Sequence, residues 1–249
     1  MKFVIIVLTL HQCNKYQTKI MRMRQVFILI LILTSSQVSG QTSLVGIKIG
    51  AIKANVRSKE LSKMNYLIAV SGGSTFDYFL NKHFSLGADF IYEQRGFSND
   101  IIFTDDQGNP IDQKATIKFW YEYYSIPIKV GFKFGNKLYG YSNIGIIPSF
   151  LINAETKVPV IKSQNEVSTS EWVVSNVTKS VTRFDMSTFF EIGLGYKLKN
   201  NLWPYTSCSF QNSFTQFSNA KYFSSSELKH YGMIWSVGLK CKLSKEKKQ

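Results

Sequence analysis

Apolar and polar residues alternate along most of this chain with a period of two. From Tyr124 the even positions read Tyr124, Ile126, Ile128, Val130, Phe132 and Phe134; between them lie Ser125, Pro127, Lys129, Gly131 and Lys133. Such a repeat puts successive side chains on opposite faces, so residues 120–134 read as a β-strand with one large apolar face and one small or cationic face. The end of the chain repeats the design. Tyr231, Met233, Trp235, Val237, Leu239, Cys241 and Leu243 oppose Gly232, Ser236, Gly238, Lys240 and Lys242.

From residue 41 onward the pattern predicts eight strands: 43–54, 65–80, 84–95, 120–134, 138–153, 183–198, 202–214 and 231–243. The fifth is ambiguous, because Ile144 and Ile146 populate one face while Tyr139, Tyr141 and Ile147 populate the other. Connections alternate in length. Residues 81–83, 135–137 and 199–201 are short and built from Asn, Gly, Lys and His, as hairpin turns require. Residues 55–64, 96–119, 155–182 and 215–230 are long and rich in Ser, Thr, Asn and Lys. Four long loops, three short turns and both ends on the short-turn side describe an all-β fold, an eight-stranded antiparallel up-and-down transmembrane barrel with long extracellular loops and short periplasmic turns. The stretch 155–182 is expected to extend its strands as a protruding hairpin.

The chemistry of the two faces decides which one points inward. A barrel in water hides its large apolar residues, whereas a barrel in lipid turns them outward and must close so that no backbone group is left unpaired. Here the polar face is small as well as charged, with Gly46, Gly50, Gly87, Gly131, Gly193, Gly195 and Gly238, which suits a narrow interior. Lys48, Asp89, Glu93, Arg95, Lys129, Glu191 and Lys240 are then expected to interlock inside as a structural salt-bridge network, with Asp77, Lys133, Asp185 and Lys197 on the same face. Aromatic residues near strand ends predict two interfacial belts. Tyr66, Tyr92, Trp120, Tyr121, Tyr123 and Tyr231 belong to the long-loop side; Tyr78, Phe79, Phe84, Phe134, Tyr139, Tyr196 and Trp203 belong to the other. Pro127, Pro148 and Pro204 fall within predicted strands and must sit at bulges or boundaries.

Composition agrees with a strand-rich chain: of 249 residues, 13 are Tyr and 19 Phe, against five Pro. The net charge of +14 includes Lys2, Lys15, Lys19, Arg22 and Arg24, which no acidic residue offsets before position 41. The remaining cations are scattered and match no nucleic-acid motif, so nucleic acid is not expected as a partner. The apolar run of residues 26–33 follows Arg22 and Arg24 and precedes small residues, which reads as a secretory signal cleaved ahead of Gln41. Residues 1–40 are therefore assigned to an upstream extension plus leader, with Met21 or Met23 as the expected start, and residues 41–249 to the barrel.

Catalytic and cofactor chemistry finds little support. Beyond the leader the histidines are His83 and His230, and only His230, near Ser224, Ser225, Ser226 and Glu227, has a grouping worth weighing. No metal-ligand spacing occurs, and no cofactor is expected. Cys208 and Cys241 fall on consecutive predicted strands at different heights, which does not favour a bridge.

Val45-Gly46-Ile47-Lys48-Ile49-Gly50, Phe84-Ser85-Leu86, Tyr92-Glu93-Gln94-Arg95-Gly96-Phe97, Tyr124-Ser125-Ile126-Pro127-Ile128-Lys129 and Gly193-Leu194-Gly195-Tyr196, in this order and spacing, resemble the PorT-like outer-membrane β-barrel family of gram-negative bacteria. The resemblance spans residues 41–243. It implies an eight-stranded, OmpA-like barrel in the outer membrane, without an assigned activity in most members and with a link to protein secretion in the founding one. Barrels of this kind often end at an aromatic residue, where this chain places Leu243. The expected partners are outer-membrane lipid and lipopolysaccharide, and other envelope or secretion proteins. Two alternatives stay open: a secreted lipocalin-like barrel holding a small hydrophobic ligand, and a lipid-modifying barrel enzyme using His230.

Overall fold

The computed structural model describes residues 42–58, 64–104, 107, 110–163, 166–198, 201–218 and 227–243. The leader assigned to residues 1–40 lies outside them, as do Asp105, Asp106 and Ser224–Ser226. Among the described residues there are ten β-strands: β1 (Thr42–Arg57), β2 (Asn65–Phe79), β3 (Phe84–Thr104), β4 (Pro110–Ser125), β5 (Ile128–Gly135), β6 (Leu138–Ser163), β7 (Glu166–Asn176), β8 (Phe184–Tyr196), β9 (Leu202–Ser213) and β10 (Lys229–Leu243). All belong to one antiparallel sheet. It closes on itself, because β1 pairs β2 along one edge and β10 along the other, from Ser43↔Leu243 to Arg57↔Lys229. Closure removes the free edges that would otherwise expose unpaired backbone groups.

Ten strands replace the predicted eight for two reasons. Residues 120–134 are not one strand: β4 ends at Ser125 and β5 begins at Ile128. Both halves nevertheless pair the same neighbours, β3 and β6. The break falls at Pro127, and Pro148 lies opposite it. Two prolines thus share one discontinuity, and Ile126 N still donates to Pro148 O at 2.9 Å and Asp89 N to Pro127 O at 3.0 Å. The second reason is β7, which pairs only β6 and forms with it the protruding hairpin expected from 155–182. The predicted loop 96–119 is likewise mostly strand, since β3 runs on to Thr104 and pairs β4 from Pro110. The short turns at 81–83 and 135–137 stand where the pattern put them, and Leu198 N donates to Leu202 O at 2.8 Å across the third. Gly135 (φ +88°) and Asn201 (φ 59°) supply the left-handed backbone of two of them.

The inverted assignment of faces is what the side chains adopt. Ile47 is 65% exposed, Ile68 75% and Phe190 51%, whereas Arg95 is 1% and Asp185 0% exposed. Outward apolar residues continue around the sheet through Val130, Ile144, Leu194, Phe210 and Val237. Apolar surface on this scale needs an apolar surrounding. The ambiguous fifth strand resolves in the same way. Tyr139, Tyr141, Ile147 and Ser149 point inward, and a register shift near Ile152 then brings Ala154 to the inner face.

Candidate functional site

The polar face of the strands fills the interior with charge. In the half nearer the short turns, Lys129 Nζ of β5 reaches Asp89 of β3 at 2.6 Å and Asp77 of β2 at 3.1 Å. Lys48 of β1 donates to the other oxygen of Asp89 at 2.8 Å, and Lys240 of β10 to Asp77 at 2.6 Å. Glu191 of β8 accepts from Asn143 Nδ2 at 2.7 Å. Gly87 makes room for this group: a Cβ there would lie 2.6 Å from Lys129 Cε and 2.7 Å from Asp77 Oδ1.

A second group occupies the half nearer the hairpins. Arg95 of β3 donates to Glu93, to Asp185 of β8 at 2.5 Å and to Ser149 Oγ at 2.9 Å, beneath the Tyr123 ring at 4.9 Å. Glu93 also accepts from Ser125, and Asp185 from Ser213 at 2.7 Å and Thr215 at 2.6 Å. Removing charges from water costs several kcal/mol per ion, offset only where partners are close and the remaining lone pairs are satisfied, which these contacts supply. Lys133 and Lys197 stand apart from both groups. Lys133 Nζ lies 5.7 Å from the Phe79 ring and Lys197 Nζ 4.6 Å from the Trp203 ring.

Aromatic residues close both mouths, and here the belts need correction. Phe79, Tyr139 and Trp203, assigned to the short-turn belt, are buried inside with Leu44, Tyr141 and Tyr205. The register explains the inversion. Tyr139 lies opposite Gly195 and Tyr141 opposite Gly193, so each ring covers a glycine across the strand pair. A Cβ on Gly195 would come within 2.3 Å of Tyr139 Cζ, and one on Gly193 within 2.4 Å of Tyr141 Cζ. At the hairpin mouth, Tyr121 and Tyr123 are also buried inside. Phe84, Phe134 and Tyr66 do face outward.

Segments that read as surface loop cap this second mouth. Phe217 and Leu228, in the connection between β9 and β10, are fully buried, and Val181 before β8 is buried beside them. Phe217 N donates to Leu228 O at 3.1 Å, and its own carbonyl accepts from Thr182 N at 2.9 Å. His230 is buried under this cap, stacked on Phe217 with ring centroids 4.0 Å apart and Nε2 3.3 Å from Tyr123 Oη. It therefore faces an aromatic cage of Phe217, Tyr121 and Tyr123, while Ser224–Ser226 lie outside the described residues.

Little open space remains inside. One cavity of about 20 Å³ lies among Asp77, Lys133, Tyr139 and Trp203, and one of about 30 Å³ between the two charge groups, bounded by Lys48, Glu93, Glu191 and Gln211. Each has room for about one or two waters. Neither cavity has room for a lipocalin-like ligand. The same residues contain no cluster of three or more His, Cys, Asp or Glu placed to hold a metal. Cys208 and Cys241 are unbridged; they lie opposite Trp235 and Leu202 in the β9–β10 ladder.

The family model for the outer membrane protein beta-barrel domain matches residues 36–247. No curated protein matches the sequence. Among solved structures the chain is similar to the Neisserial surface protein A, with 13% identity over 82% of this chain and 100% of that one, TM-score 0.44. It is similar to the attachment invasion locus protein of Yersinia pestis, with 14% identity over 81% and 99%, TM-score 0.41. It is also similar to the outer membrane protease OmpT of Escherichia coli, with 8% identity over 84% and 100%, TM-score 0.43.

Proposed function

The chain belongs to the outer membrane protein beta-barrel domain family, and from that premise we propose that it is a non-enzymatic outer-membrane scaffold whose closed wall carries surface hairpins for binding. Counting β4 and β5 as one wall strand and β7 as part of a projection, the wall has eight strands. Its short turns face the periplasm, and its long hairpins face outside. The leader at residues 1–40 exports the chain. The partners are outer-leaflet lipid and lipopolysaccharide around the wall and envelope or secretion proteins at its ends; the PorT-like subfamily is the assignment that the quoted motifs favour.

One observation carries this reading. The interior is packed with paired charges and capped by rings at both mouths, while the apolar residues face outward. A filled interior serves rigidity, because Asp89, Lys129, Arg95 and Asp185 are each held by groups from more than one other strand. Function then falls to the hairpins, where projecting segments on a rigid frame recognise partners.

The reading is tested by reconstituting the purified barrel in planar lipid bilayers and comparing surface binding of envelope proteins with and without the β6–β7 hairpin. The expected result is insertion without stepwise conductance, and binding lost with the hairpin. Steady single-channel currents would contradict a closed scaffold. The narrower secretion role is tested by deletion: secreted proteins accumulating in the periplasm support it, and unchanged secretion removes it.

A further inference from the structure

The outward face of β3, β4 and β6 changes character with height. Phe90, Tyr124, Phe150 and Ile152 are exposed and apolar or aromatic. One outward position nearer the hairpins, the same face turns polar: the register sets Gln94 opposite Glu122, Glu122 opposite Asn153 and Trp120 opposite Glu155. With Lys157 these side chains bound a recess of about 120 Å³. Its groups are held in place by one another. Gln94 Nε2 donates to Glu122 Oε1 at 3.3 Å and Asn153 Nδ2 to Glu155 Oε1 at 3.0 Å. Lys157 Nζ is 3.4 Å from Glu155 Oε2 and 5.5 Å from the centre of the Trp120 ring.

We propose that this recess is a subsite for one pyranose ring, presented by the sugar headgroups of glycolipid in the surrounding outer leaflet. A pyranose has an apolar C–H face that packs on an aromatic ring and a rim of hydroxyls that both donate and accept. Trp120 supplies the ring; the carboxylates of Glu122 and Glu155 accept from hydroxyls, the Gln94 amide serves either role, and Asn153, whose oxygen already accepts from Asn176 and Thr178, offers its second N–H. An acyl chain would cover these polar side chains and replace none of the hydrogen bonds that their free donors and acceptors make with water. A bare anion would meet two carboxylates. The recess opens sideways from the wall, just above an exposed aromatic and apolar band, which is the height of headgroups and not of partners arriving from outside. The inference rests on the proposed orientation, with the hairpins outside.

The test uses the full chain refolded in detergent micelles, accepted only if its unboiled band migrates apart from the boiled one. It is titrated with the core oligosaccharide released from rough lipopolysaccharide, with inorganic phosphate as control, by isothermal calorimetry. It is then placed in vesicles of phosphatidylethanolamine and phosphatidylglycerol with and without rough lipopolysaccharide. Saturable oligosaccharide binding is expected, weakened about tenfold by Trp120→Ala and by Glu122→Gln, roughly the loss of one good polar or stacking contact. Stabilisation by the vesicle-borne glycolipid, lost in both variants, supports a ligand in the same membrane. Free oligosaccharide binding without that stabilisation would move the ligand outside the membrane and overturn the assigned source. Equal binding by the variants, or full competition by phosphate, would overturn the subsite. A chain that never forms the shifted band would instead overturn the barrel reading beneath it.

Discussion

Arg95 on β3 and Asp185 on β8 meet at 2.5 Å across the interior, with the β4 and β6 strands between them around the wall. Each is buried, and each is also held by serines of other strands. Removing Arg95 leaves Asp185 and Glu93 without their cation, and removing Asp185 leaves Arg95 with Glu93 alone; breaking such a buried group costs about 3–5 kcal/mol. Arg95→Ala and Asp185→Ala are therefore each expected to lower the urea midpoint of the micelle-refolded protein, and the double variant to lose less than the sum of the two. Single variants as stable as the parent would remove the network from the account.

Tyr139 over Gly195 gives a steric expectation. A methyl group at residue 195 has no space beside the ring, and overpacking of this kind costs about 1–3 kcal/mol. Gly72, whose nearest neighbours would stand at 3.5 Å, has room for the same change. Gly195→Ala should reduce refolding yield and denaturant resistance, and Gly72→Ala should leave both unchanged. Equal behaviour of the pair would contradict the inward placement of Tyr139.

The cap at the hairpin mouth is separable from the charge groups below it. Phe217→Ala deletes a fully buried ring stacked on His230, at a cost of about 3–5 kcal/mol. The variant is expected to unfold at lower denaturant yet to stay silent in planar bilayers, because the salt bridges still fill the lumen. Currents in Phe217→Ala alone would show that the cap, and not the charge network, closes the barrel.

Orientation has its own readout. Lys179 is exposed in the turn between β7 and β8, on the hairpin side. Trypsin added to intact cells should cut after Lys179 while leaving the wall intact. Cleavage there only after the outer membrane is broken would reverse the assigned sides.

The alternation of Ile47, Ile49 and Ile128, Val130 against Lys48 and Lys129 carried the inverted barrel in the sequence, because strand periodicity is local and the size difference between the faces is large. Lys48, Asp89, Arg95 and Lys129 alternate with the large apolar residues in the same way, and they meet as the ion pairs described above. Tyr139 and Tyr141 were not, since a ring that covers a glycine fifty or so residues away reads like any aromatic until the register is known. The lengths of β3, β4, β6 and β7 beyond the apolar band were also hidden. There the strands persist through backbone pairing with one another, which polar sequence neither announces nor forbids. The break at Pro127 was visible as a proline, but its tolerance depends on Pro148 across the ladder. The burial of Phe217 and His230 had only the isolated Phe217 in a polar stretch as a signal.

The most direct test of the account is to isolate membranes and run boiled and unboiled samples in detergent. A closed sheet whose β1 and β10 are paired along fifteen positions should resist unfolding at room temperature and migrate differently until boiled. A membrane-fraction band that shifts on heating is the expected result. A soluble protein with a single heat-independent band would contradict the outward apolar face and the membrane barrel built on it.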